Sequence, residues 1–196
     1  MKLAIIGATG LVGKEILKVI QEKEFFYSEL ILVASKNSKG KEILVNNKVC
    51  IVITLDELLK KKPDLALLSA GSEISKEWAP KLAELGCKVI DNSSYWRMFA
   101  GHKLIIPEIN GNKLTNEDLI ISNPNCSTIQ LLCAVAPLHE AYSIKRMVVS
   151  TYQSVTGTGK NAVDQLNNEE QGVSGKMAYP YPIYRNALPH IDVFES

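Results

Sequence analysis

The sequence has few of the features that mark metal proteins, nucleic-acid binders or membrane proteins. Its four cysteines lack CxxC spacing and its three histidines form no HxxxH or HExxH pattern, so no metal site is predicted. Lys and Arg number 22 against 21 Asp and Glu, which leaves no basic surface for nucleic acid. No apolar run reaches the length of a membrane span, and the first residues do not resemble a signal peptide. We therefore expect a cytoplasmic protein with free thiols that binds neither membrane nor nucleic acid.

Short apolar runs alternate with helical patterns along most of the chain. The runs that predict buried strands are 3–6, 30–34, 49–54, 64–69, 88–91 and 119–121. Alternation of this kind is typical of an α/β fold with a Rossmann-type, doubly wound parallel sheet. Ligands bind such sheets at the carboxyl ends of the strands, so the loops after these runs are expected to meet in one cleft.

The pattern changes after residue 142, which predicts a second domain. The β-rich run Lys145–Val155 indicates its first strand, and polar residues and then a Tyr- and Pro-rich ordered loop follow. We assign residues 1–125 to a nucleotide-binding domain and 126–196 to the start of an α+β substrate and dimerisation domain. Roughly fifty residues beyond the first strand are marginal for an independent domain, so this second part is expected to be incomplete.

A glycine-rich turn follows the first predicted strand. The turn spans residues 7–13 and leads into an amphipathic helix, which is the context of a dinucleotide-binding fingerprint. Its glycines permit a close approach of the backbone, so that a pyrophosphate rests on the helix N-terminus. A plain strand-to-helix turn is the alternative. The predicted cofactor ligands in this turn are Gly7, Thr9, Gly10, Leu11, Val12 and Gly13.

The end of the second strand indicates which nicotinamide cofactor is bound. Units that select NAD usually carry an acid there, bonded to the ribose 2′-hydroxyl. Ser35, Lys36 and Ser38 stand there instead, and they can hold a 2′-phosphate that a carboxylate would repel. The sequence therefore predicts NADP rather than NAD, with Lys39 and Lys41 solvated. Later loops add Ser69, Ala70, Gly71 and Asn92 to the predicted cofactor site.

Two side chains near these loops have both a chemical and a structural interpretation. Cys126 lies where a turn signal, 122–125, passes into a helical pattern. Free N–H groups and the helix dipole favour an anionic, nucleophilic sulfur there, whereas most free cysteines are simply buried. Arg97 is either a bidentate clamp for phosphate or carboxylate, or a surface side chain stacked on Trp96.

Six motifs, in order and at matching spacings, resemble the aspartate-semialdehyde dehydrogenase family. Besides the glycine turn, they lie at 69–71, 91–98, 107–110, 123–128 and 151–157, and the resemblance continues to 189–192. The motifs around Cys126 and Gln153 are specific to the family, whereas the glycine motif is not.

The resemblance implies an NADP-dependent interconversion of L-aspartyl 4-phosphate and L-aspartate 4-semialdehyde that uses inorganic phosphate. This step leads toward lysine, methionine, threonine and diaminopimelate. By resemblance, Cys126 is the nucleophile that forms a thioester and Gln153 orients the intermediate. Arg97 and Asn125 would bind the phosphoryl group and substrate. The resemblance also implies a homodimer, with a tetramer as the alternative.

The chain departs from the family in its length. The family's general-base histidine and substrate-carboxylate arginine fall beyond residue 196, and His190 matches a structural segment rather than the base. The 196 residues alone, as a fragment or a truncated product, are therefore expected to be inactive. Two alternatives remain. One is an inactive or paralogous nucleotide-binding module. The other is an N-acetyl-glutamyl-phosphate reductase, which the residues around Cys126 fit less well.

Overall fold

The computed structural model describes residues 1–189. The chain divides into two compact units, one spanning Met1–Met147 and one beginning at Val148. Within the described part of the chain, no helix is long and apolar enough to cross a membrane.

The first unit contains the strands and five of the helices. The strands are β1 (Lys2–Ile6), β2 (Glu29–Val33), β3 (Glu42–Val45), β4 (Lys48–Ile51), β5 (Leu65–Leu68), β6 (Lys88–Asp91), β7 (Lys103–Leu104) and β8 (Ile120–Ser122). Its helices are α1 (Leu11–Glu22), α2 (Leu55–Lys61), α3 (Ser72–Glu84), α4 (Pro107–Asn110) and α5 (Cys126–Tyr142). The second unit contains α6 (Lys160–Glu170).

Six strands form a parallel sheet in the order β2-β1-β5-β6-β8-β7. Side chains alternate across it, so that Ala4 and Ile6 share a core with α2 and α3. Leu3 and Ile5, which point the other way, share a second core with α1. Helices therefore cover both faces, as a parallel sheet requires, and the predicted doubly wound fold is confirmed.

β3 and β4 form a separate antiparallel hairpin. The prediction of one strand over 49–54 was wrong in its bounds, because β4 ends at Ile51 and an isolated bridge joins Val33 to Ile53. The turn residues Asn46 and Asn47 both have positive φ, 48° and 60°, as a two-residue hairpin turn requires. An Asn-Asn pair between two β-rich runs was the signal that could have predicted this hairpin.

α3 begins at Ser72 and contains Pro80 in its interior. Proline lacks the N–H that would bond to the preceding turn, so burial of the helix must offset that loss. Ala79 and Leu82 provide this burial in the core under the sheet. Gly86 follows the helix end with φ 79°, a backbone conformation that favours glycine.

The strand predicted over Lys145–Val155 is not formed. Residues 143–154 have no regular secondary structure, and Val155 begins a short 3₁₀ turn. A strand needs a hydrogen-bonded neighbour, and no residue within 1–189 supplies one to this segment. Its apolar side chains, among them Val148 and Tyr152, are exposed.

In the second unit, two side chains on α6 hold the Tyr- and Pro-rich loop. The Gln165 side chain is buried and accepts hydrogen bonds from the N–H groups of Ala178 at 2.7 Å and Tyr179 at 2.8 Å. Glu169 accepts from the N–H of Ile183 at 2.6 Å. A hydrogen bond from the Gln165 amide is the main cause that lowers the pKa of Glu169. The loop is therefore ordered, as predicted, although no strand pairs with it in the described chain.

Candidate active site

The strand order reverses at β1, which lies between β2 and β5. In open parallel sheets, the ligand cleft is found at such a point, beyond the carboxyl ends of the strands. The loops that leave this edge follow β1, β2, β5, β6 and β8. These loops, together with the first turns of α1 and α5, contain every candidate residue predicted in the first unit. The topology therefore brings these residues to one edge of the sheet.

The loop after β1 depends on glycine at two places. Gly7 has φ 90°, and a Cβ there would lie 2.2 Å from the main-chain oxygen of Ser69. At Gly13, a Cβ would lie 2.2 Å from the main-chain oxygen of Gly7. The loop is thus packed tightly between the β5 loop and the first turn of α1.

The N-terminus of α1 is suited to a phosphate group. Gly10 is the N-cap and has no side chain to occupy the free N–H groups of the first turn, and Leu11 and Val12 are exposed. Their N–H groups and the helix dipole favour an anion at this position. These residues fit the pyrophosphate of a dinucleotide.

The loop after β2 contacts the glycine loop through a pair of hydroxyl groups. The Thr9 hydroxyl lies 3.5 Å from that of Ser38, which is buried, while Ser35 and Lys36 are exposed beside it. Lys39 instead forms an ion pair with Glu57 at 2.7 Å. Hydrogen bonds from Lys39 and from the main chain of Thr54 lower the pKa of Glu57 to about 2. Lys36 is therefore the better placed cation for a ligand.

The loop after β5 passes directly into α3. The Ser69 N–H donates to the main-chain oxygen of Ile6 at 2.9 Å, which joins this loop to β1. Ala70 and Gly71 are exposed, and Gly71 is the N-cap of α3 with φ 92°. Of these predicted ligands, Ala70 and Gly71 can offer only backbone polar groups to a ligand.

Cys126 is the first residue of α5. The preceding residue, Asn125, caps the helix through its side-chain oxygen, which accepts from the N–H of Ser127 at 2.9 Å. The thiol is exposed. The predicted strand-to-helix position of Cys126 is therefore confirmed, and the thiol is not buried in a core.

The other three cysteines differ from Cys126 in burial or position. Burial raises the pKa of Cys87 to about 12, and it also raises the pKa of Cys50. Cys133 is exposed, which the sequence did not indicate, but it lies two turns inside α5. Only Cys126 combines exposure with a helix N-terminus among these four thiols.

We predict that limiting iodoacetamide modifies Cys126 first. Cys126 is exposed to the reagent at the first residue of α5, whereas Cys87 is buried and Cys50 is partly buried. Helix N-termini are the positions at which reactive cysteines are commonly found. Peptide mass spectrometry after brief labelling measures the order of reaction. In the 196-residue chain Cys133 is exposed as well and serves as the control for exposure, so faster labelling of Cys133 in that chain would contradict the prediction.

Arg97 joins the β6 loop to the β8 loop. Its Nε donates to the main-chain oxygen of Asn123 at 2.9 Å, and its Nη2 donates to that of Asn92 at 3.2 Å. Within residues 1–189, Nη1 donates no hydrogen bond, so donors remain for an anion. The guanidinium is therefore held in place and still able to bind a phosphate or carboxylate.

One residue of this network was absent from the predicted site. Asn123 donates from its side-chain Nδ2 to Oδ1 of Asn92 at 2.7 Å. Asn92 was predicted as a cofactor ligand, but in this structure its side chain accepts from Asn123. The Asn-Pro turn signal pointed to this loop, but not to a bond across 31 residues of sequence.

Gln153 lies in the second unit. Its side chain is exposed and donates from Nε2 to the Thr151 hydroxyl at 3.3 Å. It directly precedes Ser154, which caps the 3₁₀ turn Val155–Thr158 by accepting from the Thr156 N–H. His190 lies outside the described residues. Within the described chain, no cluster of three metal-ligating side chains occurs.

Comparison with known proteins identifies relatives of both units. The family model described as "Semialdehyde dehydrogenase, NAD binding domain" matches residues 2–117. The model described as "Semialdehyde dehydrogenase, dimerisation domain" matches residues 135–196. Aspartate-semialdehyde dehydrogenase of Aquifex aeolicus is 46% identical over 98% of this chain, and that of Legionella pneumophila is 43% identical over 100%.

Solved structures that are similar to this chain also include aspartate-semialdehyde dehydrogenases. The crystal structure of aspartate-semialdehyde dehydrogenase II from Vibrio cholerae superposes with a TM-score of 0.90 at 41% identity over 99% of this chain. The same enzyme complexed with ASA superposes with a TM-score of 0.91. The chain spans 59% and 58% of the two curated relatives and 60% of the V. cholerae chain.

Proposed function

Because the chain belongs to the semialdehyde dehydrogenase family, and its relatives are aspartate-semialdehyde dehydrogenases, we propose the same reaction for the protein that contains it. The proposed reaction interconverts L-aspartyl 4-phosphate and L-aspartate 4-semialdehyde, with NADP as hydride carrier and inorganic phosphate as co-substrate. Residues 1–125 would bind the cofactor, and 126–196 would begin the substrate and dimerisation domain. The product would serve lysine, methionine, threonine and diaminopimelate synthesis in the cytoplasm.

One observation carries the proposal: an exposed cysteine begins a helix at the same sheet edge as a glycine loop suited to a dinucleotide. A thiolate at Cys126 adds to the aldehyde carbon and forms a carbon–sulfur bond. A nicotinamide held by the glycine loop would supply the hydride acceptor, so that oxidation of this adduct gives a thioester on Cys126. Phosphate then attacks the thioester carbon, the carbon–sulfur bond breaks, and the thiolate is regenerated.

The remaining candidate residues take supporting roles in this proposal. Arg97, with free guanidinium donors, would bind the phosphate that attacks the thioester. Asn125, on the turn before Cys126, would contact phosphate and substrate. Gln153 would orient the intermediate. Aspartate semialdehyde is supported as the substrate by the ASA complex of the V. cholerae relative.

We predict that NADP binds more tightly than NAD. Ser35, Lys36 and the buried Ser38 offer hydroxyls and a cation after β2, and no carboxylate lies among residues 34–41 to repel a 2′-phosphate. Titration of both cofactors, followed by intrinsic tryptophan fluorescence, measures the two dissociation constants. Lys36→Glu should reduce or reverse the preference for NADP over NAD. Lys41→Glu, on the same loop, should change the ratio of the two dissociation constants much less. Tighter binding of NAD by the unaltered protein would contradict the prediction.

A homodimer is the proposed assembly. α5 is rich in apolar residues, yet none of its residues is buried, and residues 145–152 expose Met147, Val148 and Tyr152. A helix that is apolar on all sides is normally buried. The dimerisation-domain match covers residues 135–196, which include the second half of α5 and residues 145–152. This match supports the proposal that a second copy, or further residues of the protein, covers these apolar side chains.

The proposal is tested by an assay of the complete gene product with aspartate semialdehyde, phosphate and NADP. Reduction of NADP that depends on phosphate is expected, and its absence would refute the proposal. N-acetyl-glutamate semialdehyde serves as the control substrate, since activity with it alone would indicate the related reductase. The 196 residues assayed by themselves are expected to be inactive, because the proposed base lies outside them.

A further inference from the structure

Two asparagine side chains cross-link the loops that carry Arg97 and Cys126. Asn123 donates from Nδ2 to Oδ1 of Asn92 at 2.7 Å, and its main-chain N–H donates to the Asp91 oxygen at 2.8 Å. Both side chains are half-buried. The bond therefore joins the ends of the neighbouring strands β6 and β8 just beyond their last paired residues.

Buried groups fix both ends of this cross-link. The Asp91 carboxylate is completely buried and accepts from Ser93, from its N–H at 3.1 Å and its hydroxyl at 2.7 Å. The side chain of Asn92, which lies between these two residues in the sequence, bonds instead to Asn123. After Asn123, the buried Pro124 restricts the backbone that leads to Cys126.

The position of Arg97 depends on the same two asparagines. Its guanidinium donates to the main-chain oxygens of Asn92 and Asn123, at 3.2 and 2.9 Å. Both bonds can form together only if the two loops keep their present separation. Cys126 follows Asn123 by three residues, so the same separation sets where the sulfur lies relative to the guanidinium.

We propose that Asn123 is a positioning residue, which acts through the Asn92 side chain to hold the Arg97 guanidinium and the Cys126 sulfur at a fixed separation. Neither asparagine needs to touch the reacting atoms for this role. The inference rests on the proposed function in so far as phosphate on Arg97 must reach a thioester on Cys126. A misplacement of about 1 Å between reacting groups can lower a rate about 100-fold.

Two isosteric substitutions test the cross-link and control for charge. Asn92→Asp and Asn123→Asp each introduce one carboxylate into the same pair of side chains. Asn92→Asp keeps an acceptor for the Asn123 amide, whereas Asn123→Asp replaces the donor and sets two acceptors against each other. In the complete gene product, kcat is expected to fall about 100-fold in Asn123→Asp and only a few-fold in Asn92→Asp.

The kinetic constants distinguish a positioning role of Asn123 from a loss of folded structure or of cofactor binding. In Asn123→Asp, the KM for phosphate should rise with the loss of kcat, while the KM for NADP and the thermal midpoint stay near wild type. An equal loss of kcat in Asn92→Asp and Asn123→Asp, or an unchanged kcat in Asn123→Asp, would overturn the proposal. A raised KM for NADP in Asn92→Asp would instead assign Asn92 to the cofactor. If Asn123→Asp does not fold, Asn123→Ala removes the donor without repulsion.

A second measurement needs no enzymatic activity. Iodoacetate is an anion and iodoacetamide is neutral. The ratio of the iodoacetate rate to the iodoacetamide rate at Cys126 therefore reports the electrostatic attraction of the Arg97 cation for an anion. This ratio should be several-fold lower in Asn123→Asp than in Asn92→Asp. If the wild type lacks dehydrogenase activity but the ratios differ, the proposed function fails and the positioning role stands. Equal ratios would refute the positioning role.

Discussion

Cys126→Ala is expected to lower the phosphate-dependent reduction of NADP by at least about 10⁴-fold in the complete gene product. The variant lacks the sulfur that forms the thioester, and no neighbouring side chain replaces it. The fold should be unaffected, because the thiol is exposed and the Asn125 cap bonds to the Ser127 N–H. Alanine is also favourable in a helix. Steady-state kinetics and a thermal melt of the same preparation measure the two effects.

Cys133→Ala is the matched control for this experiment. Cys133 lies on the same helix and is also exposed, but it is two turns away from the N-terminus. Its substitution should leave turnover close to that of the wild type. A Cys126→Ala variant with substantial turnover would refute the role of the sulfur. An equal loss in Cys133→Ala would indicate that α5 as a whole tolerates no change.

The sequence could predict the features that arise from local pattern. The parallel sheet, the glycine loop and the helix start at Cys126 each depend on residues within a few positions of one another. Apolar periodicity predicts strands and helices, and Gly, Asn and Pro mark the turns between them. Once parallel strands are predicted, the rule that ligands bind at their carboxyl ends places the loops along one edge.

Features that depend on distant partners could not be predicted in this way. The bond from Asn123 to Asn92 joins loops from two strands that are neighbours only in the folded sheet. The run Lys145–Val155 has a strand composition, but composition cannot provide the neighbouring strand that hydrogen bonding requires. The exposure of Cys133 likewise depends on what covers α5, which the apolar pattern of the helix does not specify.

Gly13→Ala is expected to destabilise the first unit by about 3 kcal/mol and to abolish NADP binding. The added Cβ would lie 2.2 Å from the main-chain oxygen of Gly7 and 2.8 Å from Cα of Ala8. Both atoms belong to backbone at the end of β1, so no side chain can rotate away to relieve the contact. α1 would have to shift from β1, and its free N–H groups would move away from the pyrophosphate they are proposed to bind. Urea unfolding followed by circular dichroism, together with the fluorescence titration of NADP, measures both effects.

Two alanine controls separate this contact from a general effect of losing glycine. Gly10→Ala changes the same loop, but its Cβ would lie 3.2 Å from the Gly7 oxygen and φ is −77°, so a smaller loss of stability is expected. Gly101→Ala has no atom within 4 Å of the new Cβ and should be close to neutral. The expected order of stability is therefore Gly101→Ala, then Gly10→Ala, then Gly13→Ala. A Gly13→Ala variant that unfolds at the same urea concentration as Gly101→Ala and still binds NADP would show that α1 can shift without cost, and the close contact in the glycine loop would then not be what positions the cofactor site.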